Sequence, residues 1–447
     1  MKRKFSYGLL LTALAVNLFI GAQVYRQNVH AAEREDPYPN LKLFTTVLER
    51  VRQDYVDGEK ITYQDLIQGA MKGMLSTLDP HSEYMELSKY DELKKDTQGA
   101  FGGVGIVIQP TKEGQLTVVS PMEDTPGFRA GILSGDRILK IDGRSTEKLS
   151  MQDAVKRLRG EPGSKVEITV LRPSTGILTN YALTRAEIKV DTVKDSTGHR
   201  EFPLPENKIG YIHITQFGEQ TADDFEDALR KLEKKGMEAL VIDLRGNPGG
   251  LLDSAVKIVE KFVPRNTLIV STEGRGTTQP STYKASGRNT HLNLPMVVLV
   301  NGGSASASEI VSGALQDLTA TGKCKAVIVG EQTFGKGSVQ SILPLPDGSA
   351  LRLTTAKYYT PSHKVIHEKG ITPDIIVPMT DEEELDLFYK RQPGGLDHLD
   401  EKLRERVQKA RDVQLDRALD LLKGLSVYTK RNGEKVPPKA GDKVALR

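Results

Sequence analysis

The chain has 447 residues, more than one compact core accommodates, so two to four domains are expected. With 38% hydrophobic and 27% charged residues it falls among globular proteins, and a net charge of +3 gives no ground for a nucleic-acid binder. The lone cysteine, Cys324, excludes an internal disulfide and a cysteine-based zinc site.

Lys2, Arg3 and Lys4 precede an apolar run from Tyr7 to Ala22, the layout of a secretory signal or short membrane anchor over residues 1–32. Export is therefore expected, to a periplasmic or membrane-anchored extracytoplasmic position. Cleavage after Val29-His30-Ala31 and retention as an anchor both stay open. Residues 40–97 read as a helical N-terminal domain and linker. Phe44, Val47, Leu48, Val51 and Tyr55 recur at helical spacing, and Thr62-Tyr-Gln-Asp65 has the form of a capping box. Over 98–190 glycine-rich turns separate strand-like runs at 104–109, 116–121, 136–143 and 165–173. One helical pattern, 150–159, sits among them, which predicts a small barrel-like module. Residues 191–380 alternate strand and helix, with strands at 209–217, 239–244, 267–272, 296–301 and 326–331, as expected of an α/β layer. The stretch 381–430 is helical and charged, with Leu396, Leu399, Leu403 and Val407 on one face, and 431–447 is expected to be disordered. The fold class is thus multidomain α/β (α+β), with helical terminal segments around a barrel-like module and an α/β core.

Two motifs carry chemistry. In NGGSASASEIVSGALQD (301–317) an apolar strand ends at Asn301, two glycines permit a tight turn, and serines open a helix. A serine there stands beside free helix N–H groups able to stabilise an oxyanion. Taken alone, the motif is better read as an ordinary helix cap. In GEQTFGKGSVQ (330–340), Lys336 lies between two glycines after a strand, and a lysine becomes a base only where burial lowers its pKa. Gly330-x4-Gly335-Lys336 nearly matches a phosphate-binding loop. However, position 337 is Gly rather than Ser or Thr, and strands follow instead of a helix. No histidine carries a triad motif, and none is paired at metal-ligand spacing on a predicted helix, so no metal and no cofactor are expected.

Together SASASE and TFGKGSVQ resemble the carboxy-terminal processing proteases, serine proteases with a Ser–Lys pair and an embedded PDZ module. The resemblance spans roughly residues 40–380. It implies Ser306 as nucleophile, Lys336 as general base and Gln340 as the residue positioning the lysine; Ser304 and Ser308 are the alternatives, Ser308 more naturally starting the helix. It further implies an oxyanion site from the N–H of Ala307 and of Gly249 or Gly250. The segment 318–325 looks longer than the family's usual connection, which would put Cys324 in a surface loop.

The turn Gly102-Gly103-Val104-Gly105-Ile106, with PMEDTPGFRAGILSGDRILKIDG downstream, is similar to a PDZ domain. Such modules take a chain's C-terminus as an added strand and capture its carboxylate on main-chain N–H groups, here those of Gly103, Val104, Gly105 and Ile106. Arg159 either senses bound peptide or answers the dipole of its helix. The function implied is an endopeptidase for protein substrates with accessible C-termini; the alternative is a non-catalytic PDZ scaffold. A homodimer through the terminal helical segments and an inner-membrane anchor are further expected partners, with no nucleic acid.

Overall fold

The computed structural model describes residues 37–433, apart from 98, 111–113, 123, 148, 174, 276–280, 289–290, 392–395, 397–398 and 400. The signal or anchor segment and residues 434–447 lie outside these. The chain divides into two compact units, one up to Pro80 and one from His81.

The first unit holds two helices, Tyr38–Asp54 and Tyr63–Ser76. Thr62 and Asp65 form the predicted capping box: Thr62 N–H donates to Asp65 Oδ2 (2.9 Å) and Asp65 N–H to Thr62 Oγ1 (3.1 Å). The helix stops at Ser76, before Asp79-Pro80. Leu75 is the one side chain buried in these two helices, whereas Leu41, Leu43, Phe44, Val47, Ile67 and Met74 are exposed.

In the second unit a six-stranded sheet runs in the order Val193–Lys194, Ile209–Ile214, Ala239–Asp243, Met296–Val300, Ala326–Gly330, Ile375–Ile376. All its pairings are parallel except the first. Strand side chains alternate between faces, and both faces here are apolar. Leu240, Ile242, Val298, Val300 and Ile328 enter a core with the helices Thr221–Lys234, Leu252–Val259 and Ala307–Ala320. Val241, Val297, Leu299 and Val329 face the C-terminal helix Val413–Gly433 through Ala418 and Leu422. The α/β expectation is borne out as a sheet covered by helices on both faces.

A second sheet is antiparallel. It joins Glu83–Met85, Ala350–Tyr359, Leu268–Gly274 and Ser281–Lys284, with Ser338–Pro344 also paired to Ala350–Tyr359. The barrel-like module has the order Ile106–Pro110, Leu116–Pro121, Arg137–Ile141, Lys165–Arg172, Ile177–Thr184, with Ala100–Gly103 paired to Ala186–Lys189. Its helix Met151–Leu158 is capped by the Ser150 hydroxyl and buries Ala154 and Leu158.

Three local expectations need correction. Cys324 is buried, not in a surface loop: its thiol packs in the main core, bonds to Leu315 O (3.4 Å), and burial pushes its pKa up. Leu396 and Leu399 fall between the helices Asp381–Arg391 and Glu401–Lys409, so they share no helical face with Leu403 and Val407. The last helix runs on to Gly433, past the expected start of disorder.

Candidate active site

The strand Met296–Val300 delivers the chain to Asn301, whose Oδ1 accepts the N–H of Gly303 (3.1 Å) and of Gly246 (2.8 Å). That one amide folds its own turn back and ties it to the neighbouring loop 244–250. More bonds join the two loops. Ser304 Oγ donates to Leu244 O (2.8 Å), Ser308 Oγ to Asn247 O (2.9 Å) and Ala305 N–H to Asn247 O (3.0 Å).

These bonds separate the three serines. Ser304 and Ser308 are fully buried and their hydroxyls are spent on carbonyls. Ser306 is partly exposed, and no described hydrogen bond has its hydroxyl donating to a carbonyl. The helix begins at Ala307, with Ser306 as N-cap and Ser308 inside, so Ser308 does not start it. Ser306 adopts φ 53°, ψ −110°, a region that non-glycine residues avoid. Strain of this kind costs about 1–3 kcal/mol and persists where surrounding structure holds it.

Gly249 lies directly against this turn. A Cβ there would stand 2.7 Å from Ala305 O, 2.8 Å from Ser306 Cβ and 3.0 Å from Ala307 N, and its φ of 102° also favours glycine. The Ala307 N–H has no acceptor among the described hydrogen bonds. Gly249 N–H donates to Asn247 Oδ1 (2.9 Å), whereas Gly250 N–H has no described acceptor.

Lys336 follows the strand Ala326–Gly330 and sits between Gly335 and Gly337. A side chain at 337 would meet His367 N at 2.0 Å, so only glycine lets the lysine loop lie this close to 366–370. The ammonium is half-buried and forms no hydrogen bond or ion pair among the described residues. Burial pushes its pKa down, Arg352 adds to this, and Glu309 opposes it. Gln340 does not reach Lys336. Its Nε2 donates to Ser338 Oγ (2.8 Å) and Ser338 O (3.2 Å), where the pairing register shifts between Val339 and Gln340. No described hydrogen bond joins a histidine to Ser306 or Lys336, and no cluster of three His, Cys, Asp or Glu that could hold a metal occurs among the described residues.

Reading the motifs missed Glu309, whose carboxylate bonds the main chain at both Ser306 and Lys336. The spacing Ser306-x-x-Glu309 was its available signal. Also missed was the pair Asp243–Arg245 at the head of the glycine loop. Arg245 Nη2 meets Asp243 Oδ2 at 2.6 Å, and Arg245 Nη1 reaches Asp412 Oδ1 (2.8 Å) and Gln414 Oε1 (3.0 Å). Burial works against the charge on Asp243, yet Arg245 and Arg391 hold its carboxyl far below the usual range.

In the barrel-like module, Ile106–Pro110 is an edge strand paired on one side to Leu116–Pro121. The carbonyl of Val104 accepts Gly127 N–H (2.7 Å), and that of Gly105 accepts Met122 N–H (2.9 Å) and Thr125 Oγ1 (3.0 Å). The N–H groups of Val104 and Gly105 have no described acceptor, so the turn offers unpaired donors beside an open strand edge. Gly103 belongs to the neighbouring strand, opposite Ala186. Arg159 caps its helix, lies over the Phe101 ring at 4.3 Å and meets Glu92 at 3.4 Å.

The chain is similar to known proteins. Residues 208–377 match peptidase family S41, 117–172 match the PDZ domain, and 15–88 match the activating protease CtpB N-terminal domain. A carboxy-terminal-processing protease of Bartonella bacilliformis is 42% identical over 362 residues, covering 79% of each chain. The carboxy-terminal processing protease CtpB of Bacillus subtilis is 38% identical over 74% of this chain and 67% of its own. A Synechocystis carboxyl-terminal-processing protease is 34% identical over 92% and 93%. A putative S41 protease structure from Bacteroides fragilis, 18% identical, covers 85% of this chain and 97% of its own at a TM-score of 0.50, a likeness of fold. The chain belongs to peptidase family S41, the carboxy-terminal processing proteases, and carries that family's PDZ domain.

Proposed function

We propose that Ser306 is the nucleophile and Lys336 the general base of this serine endopeptidase. One observation carries the assignment: Ser306 is the one serine of the three that is accessible and whose hydroxyl donates to no carbonyl. It is supported by one oxygen of Glu309, which accepts the N–H of both Ser306 and Lys336. The main chains of the two residues therefore converge on one carboxylate oxygen.

The chemistry is acyl transfer. Neutral Lys336, its ammonium disfavoured by burial, takes the Ser306 proton as Oγ attacks the scissile carbonyl. The oxyanion is received by Ala307 N–H and a glycine amide, Gly250 as it stands or Gly249 once released from Asn247. The lysinium returns its proton to the leaving amine, and water, deprotonated by the same lysine, hydrolyses the acyl-enzyme. Ser306 Oγ and Lys336 Nζ share no hydrogen bond here, and such bonds tighten in the substrate complex. Gln340 joins the site by leaving Ser338 for the lysine.

Protein substrates present their C-termini to the PDZ domain, where the open edge of Ile106–Pro110 takes the chain as a strand and the turn 103–106 its carboxylate. Arg159, now held by Glu92 and Phe101, is placed to respond. We infer the division into segments 40–97, 98–190, 191–380 and 381–430, export by the N-terminal segment, and a homodimer through the terminal helices. The exposed apolar side chains of Tyr38–Asp54 and Tyr63–Ser76 support the last. N-terminal sequencing of the mature chain and membrane fractionation test export and anchoring.

Hydrolysis of an unfolded protein by wild type, Ser306→Ala and Lys336→Ala tests the assignment. Both variants are expected to be inert, and wild-type rates in either refute it.

A further inference from the structure

Glu309 lies one turn into the helix that Ser306 opens, is fully buried, and has two donors on each oxygen. Oε1 accepts the Thr333 hydroxyl (2.6 Å) and Gly335 N–H (2.7 Å). Oε2 accepts the N–H of Ser306 (2.8 Å) and of Lys336 (2.9 Å). Three of the four donors are main chain, from two segments far apart in sequence.

We propose that Glu309 is a positioning residue whose ionised carboxylate holds the main chains of Ser306 and Lys336 together for proton transfer. This rests on the reading of those two residues as nucleophile and base.

The physical case has three parts. Four donors converge, so only a group that accepts on both oxygens satisfies them; a protonated carboxyl or an amide sets a donor against a donor. The Ser306 backbone, at φ 53°, occupies a conformation it would leave unless held, and its N–H is the handle by which Glu309 holds it. A buried charge is a poor way to stabilise a core, which apolar side chains fill as well or better, so its presence between two reacting residues points to a positional task.

The carboxylate also acts on the base through space. The charged groups bearing on the Lys336 ammonium are Glu309, from the helix, which favours it, and Arg352, from the strand Ala350–Tyr359, which disfavours it. Glu309 itself is pushed up by burial, against its four hydrogen bonds. It therefore keeps the lysine from becoming too weak a proton carrier while fixing where it stands.

The test uses the full chain and an unstructured peptide substrate, with kcat, KM, the pH profile of kcat and a thermal melt recorded for each variant. Glu309→Gln turns an amide against two of the four donors. Its kcat is expected to fall about 100-fold, the loss typical of a small misplacement, with KM unchanged. Its rising limb with pH is expected to move to lower pH, since a charge that stabilises the ammonium is gone. Glu309→Asp keeps the charge but is one methylene short; kcat is expected to fall at least about tenfold with the limb near its wild-type position. A Glu309→Gln enzyme with wild-type kcat and limb overturns the proposal. So does a loss of activity that only tracks the folded fraction, with the limb unmoved. Should Glu309→Gln fail to fold, Glu309→Asp decides: a folded variant with wild-type kcat refutes the role. Ser306→Ala is run alongside. Wild-type hydrolysis in that variant sinks the underlying assignment, whereas an inert Ser306→Ala beside fully active Glu309 variants sinks the positioning role alone.

Discussion

Substituting Gly249 by alanine probes the oxyanion site through the nucleophile's own turn. The new Cβ would overlap three atoms at once: Ala305 O at 2.7 Å, Ser306 Cβ at 2.8 Å and Ala307 N at 3.0 Å. The last two belong to the proposed nucleophile and the proposed oxyanion donor. The φ of 102° adds backbone strain, so a stability loss of about 1–3 kcal/mol is expected. Relief can come only by moving the Ser306 turn or the glycine loop, and displacing one oxyanion donor costs about 10²–10³-fold in kcat. The control is Gly246→Ala, at φ 67° with nothing within 4 Å of its Cβ, which carries similar strain but no collision. Hydrolysis of a short peptide at saturating concentration, with a thermal melt for each protein, reads both effects. Gly249→Ala should lose more stability than the control by the cost of the collision, and only Gly249→Ala should lose kcat by two orders of magnitude. A folded Gly249→Ala with wild-type kcat would refute the oxyanion assignment to this loop.

Arg352→Gln removes the positive charge that presses the Lys336 ammonium from the strand side. The lysine pKa then rises, so the ascending limb of kcat moves to higher pH; a limb that stays put or moves down contradicts Lys336 as the titrating base. A peptide with a free C-terminal carboxylate should bind the PDZ domain at least about tenfold more tightly than its C-terminal amide, because the amide forfeits charge-assisted bonds to the turn 103–106. Equal affinities by calorimetry would remove carboxylate capture. Sedimentation of the chain lacking its first 32 residues should give twice the monomer mass, reduced to the monomer by Leu43→Glu with Val47→Glu, which charges the exposed apolar helix face. A monomer for the unsubstituted chain ends the dimer reading.

The α/β layer and the family were legible because local pattern carries them. Apolar runs of strand length recur between helical spacings, and SASASE and TFGKGSVQ are contiguous in the chain. What stayed hidden depends on pairing across distance. Glu83–Met85 is a strand because Ala350–Tyr359 lies beside it, and nothing in three residues announces that. Ile177–Thr184 alternates without a strong apolar face, since it lies at a sheet edge and much of it is exposed. Gln340 was expected on Lys336 from the family resemblance, but here, beside a register shift, its amide bonds Ser338. Cys324 was expected at the surface because the segment 318–325 looks longer than the family's connection; it packs into the main core instead.

Arg245 stands at the head of the glycine loop, and two of its partners, Asp412 and Gln414, come 167 and 169 residues later. The S41 match ends at residue 377, well before them. A chain that stops short of Asp412 leaves Arg245 and Asp243 in a dry site with part of their bonding gone, and breaking a buried ionic network costs about 3–5 kcal/mol. The consequence is one of timing. During synthesis the ionic network at the head of the glycine loop is complete only once residues 412–414 have been made, close to the end of the described chain.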